Sequence, residues 1–183
     1  VRPVHSNGTS TYSGIVIAPK GSGKFSGSGS YFNGKRVACA SFASAGEIYF
    51  RSLGATNAKQ LMVTPNHQAA LDAVGRGAAD VGIVKDHVWE KEKNKYPNLE
   101  VVGESKVQNP DGTLIVSRKM ASSTAQKIAD ALLAIKADSS TEASVAKNSL
   151  KIREYIKTTN ADFKGTIEML KKAGITKDSN FSF

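Results

Sequence analysis

The stretch that most limits how this chain can fold is residues 34–50, GKRVACASFASAGEIYF. Residues 36–40 are a short apolar run of the kind that forms a buried strand. The next residues, Ser41 to Gly46, are small and hydroxyl-rich, and after Glu47 apolar residues return at helical spacing through Ile48, Phe50 and Leu53. Ser44 stands where an N-cap would, with Glu47 three residues on, the arrangement of a capping box. A strand that turns straight into a helix leaves the first helical N–H groups and the positive end of the dipole at the strand tip. With serine hydroxyls beside it, that end suits an anion such as phosphate or phosphonate. The same residues also suit an ordinary strand-to-helix connection.

The rest of the chain repeats this alternation. Residues 11–19, TYSGIVIAP, read as a strand rich in β-branched side chains. Residues 20–34 are rich in Gly and Ser, the composition of a flexible surface loop. A phosphate-cradling glycine loop would need a helix after it, with Lys and Ser or Thr in order, and here a strand follows, which argues against a nucleotide site. Helices are expected at 45–53, 68–76 and 86–94, and strands at 61–64, 81–84 and 99–103. A turn at 109–112 leads to a further expected strand, TLIVS, at 113–117. Short connections between alternating elements predict an α/β fold, a mostly parallel sheet with flanking helices. Beyond Arg118 the pattern is helical, at 122–135, 148–156 and 161–173. The expected organisation is therefore an α/β ligand-binding lobe over 1–118, with a flexible loop at 20–33. A helical segment over 119–183 would pack on or beside it.

Composition narrows the function. The 183 residues are 40% apolar and 22% charged, enough for a core and too apolar for wholesale disorder. A net charge of +9 attracts anions of any size. The Lys and Arg are scattered rather than interleaved with aromatics, so no nucleic acid partner is expected. The one cysteine, Cys39, excludes a disulfide within the chain and any cysteine-rich metal site, and its apolar strand marks it as a buried thiol. No apolar run is long enough to span a bilayer, so the chain reads as not transmembrane. There is no GxSxG and no metal-ligand spacing of His and carboxylates. No catalytic residue, cofactor or metal is expected, and the chain reads as a protein other than an enzyme. Asn7-Gly8-Thr9 and Asn180-Phe181-Ser182 match the glycosylation sequon, a triplet too common to carry weight.

In an open α/β sheet, ligands bind beyond the carboxyl ends of the strands. The residues there are Ser41 and Ser44, then Asn66 and His67, then Lys85, Asp86 and His87, then Glu104 and Ser105. Hydroxyls, an imidazole and a lysine suit a small oxyanion. His67 either contacts that anion or caps its helix, and Lys85 either reaches the ligand or pairs with Asp86. Asp86 reads as an N-cap, His87 as a surface residue and Trp89 as core.

The blocks GKRVACASFASAGEIYF, TPNHQAALDAVGRGAADVGIVKDHVWE, LEVVGES and NPDGTLIVSRKM together resemble the substrate-binding proteins of phosphate/phosphite/phosphonate ABC transporters. These are type II periplasmic binding proteins, and the likeness covers about residues 11–135. It implies that Ser41 and Ser44 grip the anion, that His67 contacts it, and that Tyr12 lies near the hinge and the ligand. Family members often carry an Asp after the third strand to meet a ligand amine. Lys85 stands in that place here, which points to a more anionic ligand, or to a lost site, rather than an amino-phosphonate. The family has two lobes, and this chain resembles the second lobe plus C-terminal helices.

The resemblance thus implies non-enzymatic binding of a small oxyanion of the phosphate/phosphonate class. The protein would be periplasmic or extracellular, with its signal peptide removed, since the chain begins at Val1 without a methionine. Its partners would be the small oxyanion ligand and either an ABC transporter permease or another protein subunit that supplies the missing lobe. The alternative is a structural or interaction subunit that kept the binding-protein fold and lost its ligand.

Overall fold

Backbone polar groups must be paired wherever they are buried, and the apolar runs of this chain meet that demand mainly in one sheet. The computed structural model describes residues 1–176 and 178–179; the sequon at Asn180 lies outside them. Three strands come first: β1 (Arg2–His5), β2 (Thr11–Tyr12) and β3 (Gly14–Pro19). Then follow β4 (Arg36–Ala40), α1 (Ala45–Ser52), β5 (Gln60–Thr64), α2 (His67–Gly75), β6 (Val81–Lys85), α3 (Asp86–Glu92) and β7 (Leu99–Glu104). The remaining elements are β8 (Asn109–Pro110), α4 (Ser122–Ala134), α5 (Thr141–Leu150), β9 (Ile152–Ile156) and α6 (Lys164–Lys172).

The described chain forms two compact units. One comprises Val1–Tyr12 and Asn109–Lys164, the other Ser13–Gln108 and the residues from Gly165 onward. The boundary expected near residue 118 is replaced by crossings after Tyr12, Gln108 and Lys164. Side-chain periodicity reports local structure and carries no signal for where a chain leaves one core for another, which is why the crossings were not legible.

The larger unit holds a five-stranded sheet in the order β5-β4-β6-β3-β7. β4 runs parallel to β5 and β6, and β3 runs antiparallel to β6 and β7. Four strands thus share one direction and β3 opposes them from within the sheet. The strand expected at 11–19 is broken at Ser13, and only its second part enters this sheet. Alternation along the strands sends Val16, Ala18, Val37, Cys39 and Ile83 to one face, against Ile48 and Phe50 of α1 and Met169 of α6. Ile15, Ile17 and Ala38 point to the other face, against Leu71 and Val74 of α2 and Trp89 of α3. A sheet buried on both faces needs the near-continuous apolar strands seen here.

The Gly/Ser-rich stretch carries aromatic anchors, so it is more than the linker its composition suggests. Phe32 is fully buried at the end of a 3₁₀ turn, Gly29–Phe32, whose first residues are capped by Ser28. The rings of Phe25 and Phe32 lie 5.6 Å apart, and the Phe25 N–H donates to the Val102 carbonyl at 2.9 Å. A side-chain Cβ at Gly103 would stand 2.5 Å from the Phe25 ring, and one at Gly29 would stand 2.4 Å from the Leu53 carbonyl oxygen. Absence of a side chain at these two positions lets the loop close onto the sheet.

The smaller unit contains two short antiparallel ladders, β1 with β9 and β2 with β8. β9 stands where a helix was expected at 148–156: α5 stops at Leu150, and Lys151 turns the chain through a left-handed conformation at φ 54°. Pairing with β1, far away in sequence, overrides the local helical pattern. The strand expected at 113–117 does not form among the described residues. The Leu114 N–H donates to the Val1 carbonyl at 2.9 Å, and beyond it Ile115 is 88% exposed. Within this unit the Arg2 guanidinium meets Asp162 at 3.1 Å. No helix among the described residues is long and apolar enough to cross a membrane.

Two outcomes are expected. Gly103→Ala and Gly29→Ala should each destabilise the protein by about 1–3 kcal/mol in urea denaturation, as overpacked sites do. Gly14→Ala, whose Cβ would sit at ordinary contact distance, should stay well below that. The second concerns pH. Hydrogen bonds from Arg36 hold the Asp80 carboxyl down at about 2 from an ordinary 3.8. A depressed carboxyl stabilises the fold above its unfolded value and loses that contribution as pH falls from about 4 toward 2. Asp80→Asn should therefore flatten the stability profile across that window, measured by thermal melts.

Candidate functional site

The carboxyl ends of β4, β5, β6 and β7 and the start of β3 form one edge of the larger unit. At the β4 tip the Ser41 N–H donates to the Thr64 carbonyl at 2.7 Å, which ties the tip to the end of β5. Ser41 and Ala43 are held at φ 49° and 56°, the left-handed region that non-glycine residues rarely occupy. Each such residue costs about 1 kcal/mol or more, and backbone strain of this kind clusters at functional sites. Phe42, between them, is 59% exposed.

The capping box exists in altered form. Ser44 is the N-cap of α1, and its Oγ accepts the Glu47 N–H at 3.3 Å. Glu47 does not return to the Ser44 N–H; its Oε2 accepts from the Ala43 N–H at 2.8 Å. Its Oε1 accepts from Arg51 Nε at 2.8 Å, so this buried carboxylate is paired within the helix. The Ser44 hydroxyl hydrogen is not used in that cap, and the N–H groups of Ala45 and Gly46 open the helix, where intrahelical acceptors do not exist.

His67 is the first residue of α2, and the cap there is Asn66, whose Oδ1 accepts the Ala69 N–H at 2.9 Å. Capping is thus Asn66's role. Lys85 ends β6 opposite Gly14 of β3 and stands at the cap position of α3 without a side-chain cap bond. Asp86, expected as that cap, is instead the first helical residue. Its Oδ2 accepts from the Ser13 N–H at 3.0 Å, and its Oδ1 accepts from the His87 N–H at 2.7 Å. The expectation failed because the strand runs one residue further than its apolar pattern. Trp89 is buried in the core. Cys39 is fully buried, and burial first, then the Glu47 charge, pushes its thiol up to about 12, so it is unreactive at neutral pH.

Ser41, Ser44, His67 and Lys85 therefore share one sheet edge, while Tyr12 belongs to the smaller unit, in β2 opposite Asn109. Sequence reasoning missed Ser13. It is fully buried, and its Oγ lies 2.7 Å from Glu104 Oε1 and 3.1 Å from Asp86 Oδ2. A hydroxyl has one proton to donate, and Asp86 Oδ2 already receives the Ser13 N–H, so the shorter contact to Glu104 takes it. Two carboxylates thus converge at the same edge as the serines, an acidic counterpart to Lys85. No local motif marks Ser13, because its partners lie 73 and 91 residues away. Among the described residues no group of three His, Cys, Asp or Glu could hold a metal ion.

A family model described as ABC transporter, phosphonate, periplasmic substrate-binding protein matches residues 1–163. No curated protein sequence matches the chain. The fold is similar to XAC2383 from Xanthomonas citri, solved bound to ATP, with TM-score 0.72 and 13% identity over 94% of this chain and 70% of that one. It is also similar to a binding protein component of an ABC phosphonate transporter from Pseudomonas aeruginosa, with TM-score 0.66 and 15% identity over 93% of this chain and 61% of that one. An ancestral arginine-binding protein bound to arginine aligns at TM-score 0.58 and 22% identity, over 76% of this chain and 60% of that one. At these identities the likeness to the solved structures is one of fold.

Strain at the β4 tip gives a direct test. Ser41→Gly and Ala43→Gly should each raise stability by about 1 kcal/mol or remain neutral, because glycine accepts the left-handed backbone. Ser44→Ala should lower it by about 1 kcal/mol through the lost cap. Thermal melts of the three variants would check both signs.

Proposed function

Because the chain belongs to the periplasmic substrate-binding proteins of phosphonate ABC transporters, we propose that it binds a small oxyanion of the phosphate/phosphonate class at the sheet edge built by Ser41, Ser44, His67 and Lys85. Proteins of this class are carriers and catalyse no reaction. The observation that carries the proposal is the strained β4 tip, where two non-glycine residues hold left-handed conformations to bring a serine and a helix start to the same point. Donors at a helix N-terminus, two hydroxyls, an imidazole and an ammonium match the lone pairs of a phosphonate group. The net charge of +9 adds long-range attraction for an anion. Asp86 and Glu104 would receive a cationic group on the ligand's far side, which opens the site to amino-phosphonates that Lys85 alone argues against. Delivery to a membrane permease, in the periplasm or outside the cell after removal of a signal peptide, completes the proposal.

A second reading, that of an interaction subunit, is favoured by one observation. Leu114, Ile115, Val116, Ile128, Val145 and Leu150 of the smaller unit are all substantially exposed, and the first three are consecutive in sequence. Another polypeptide, such as a subunit supplying the rest of a lobe, would cover them.

Calorimetric titration with methylphosphonate, inorganic phosphate and L-arginine separates these readings. Saturable heat with methylphosphonate or phosphate is expected, lowered about tenfold or more in affinity by His67→Ala or Lys85→Ala. Heat with arginine alone would overturn the oxyanion assignment. No heat with any of the three, together with self-association in light scattering, would favour the interaction subunit.

A further inference from the structure

A cavity of about 500 Å³ opens in the larger unit, and Ser41, Ser44, His67 and Lys85 are not in its lining. One wall is the end of β7 and the residues after it, with Glu104, Lys106 and Val107. The opposite wall is α6, with Glu168, Met169 and Lys172. Tyr49, Ser52 and Leu53 of the α1 region close a third side. The volume exceeds that of a single amino acid and lies within the range of small-molecule sites.

Two acids and two bases line this space, one of each sign from each wall. Lys106, Glu168 and Lys172 make no ion pair or side-chain hydrogen bond among the described residues. Glu168 and Lys172 are four residues apart, the spacing at which helix surface charges ordinarily pair, and here they do not. Glu104 is oriented from behind by the buried Ser13 hydroxyl at 2.7 Å. Burial and the Glu104 charge both raise the Tyr49 phenol, which keeps it a neutral donor beside that carboxylate. Leu53, Val107 and Met169 supply apolar surface between the charges.

We propose that this cavity is a second binding site, which shares only Glu104 with the oxyanion edge, for a small zwitterion with an apolar body, of the α-amino acid class. The ligand ammonium lies toward Glu104 and Glu168, its carboxylate toward Lys106 and Lys172, and its side chain against Leu53, Val107 and Met169. A balanced set of charges selects a dipolar ligand over a simple anion, since an anion would pair with Lys106 and Lys172 and leave Glu104 and Glu168 without a cationic partner. The strand wall and the helix wall both contribute, so occupancy would brace α6 against the sheet.

The test is titration of the protein with L-leucine, followed calorimetrically and by thermal shift, beside 4-methylpentanoate and 3-methylbutylamine, which each keep one charge. Leucine is expected to bind saturably and each single-charge probe about tenfold or more weakly. Glu168→Gln and Lys172→Gln, both on exposed helix positions, should each weaken leucine about tenfold and leave methylphosphonate affinity within about twofold. That control separates failure of this site from failure of the oxyanion assignment. Absence of leucine binding up to about 10 mM by folded protein would overturn the proposal. So would leucine binding that Glu168→Gln and Lys172→Gln combined in one chain leave unchanged, or equal binding of leucine and 4-methylpentanoate.

Discussion

Pairing of β3 with β6 on one side and β7 on the other is the constraint on which the larger unit depends. Ile15, Val16, Ile17 and Ala18 are almost wholly buried, and alternate between the two faces of the sheet. Each face is a separate apolar layer, and only a strand that is apolar on both sides can separate them. Because β3 opposes the four other strands, its beginning rather than its end reaches the carboxyl edge. That reversal is what delivers Ser13 to Asp86 and Glu104, and it couples the core of the fold to the polar chemistry of its rim.

The rim and the cavity make different demands on the same scaffold. At the β4 tip, backbone strain and a helix start gather donors, and the Glu47 carboxylate, whose charge opposes an anion, is tied to Arg51 and to the Ala43 N–H. On the α6 side, Lys106, Glu168 and Lys172 line the cavity without an ion pair among the described residues. Glu104 belongs to both regions, held at its Oε1 by Ser13 while its residue lines the cavity. The aromatic anchors of the Gly/Ser-rich stretch hold the intervening loop on the sheet, so that Ser26 and Gly27 complete the cavity wall instead of trailing in solvent.

Much of this was legible locally. The β4-to-α1 turn, the Ser44 cap and the Asn66-His67 start of α2 all follow from residue types at short spacing, because hydrogen bonds over three or four residues decide them. Asp86 lies one residue inside α3 rather than at its cap, because apolar pattern alone does not mark the last residue of β6. The helix expected over 148–156 shows the opposite failure. Residues 152–156 carry enough β-branched and aromatic character to form a strand once β1 offers an edge, and nothing nearby in sequence announces that edge.

By itself, the sequence determined the alternation of strands and helices, the α/β class, the single buried thiol and the set of polar residues at strand ends, and its family motifs carried the binding-protein identity. These are consequences of short-range periodicity and of side-chain chemistry. Only the tertiary structure decided the reversed direction of β3, the division of the chain at Tyr12, Gln108 and Lys164, and the meeting of Ser13 with Glu104. The physical reason is that each of these depends on which distant backbone satisfies a buried polar group, and that choice is made by the whole core at once rather than by any stretch within it.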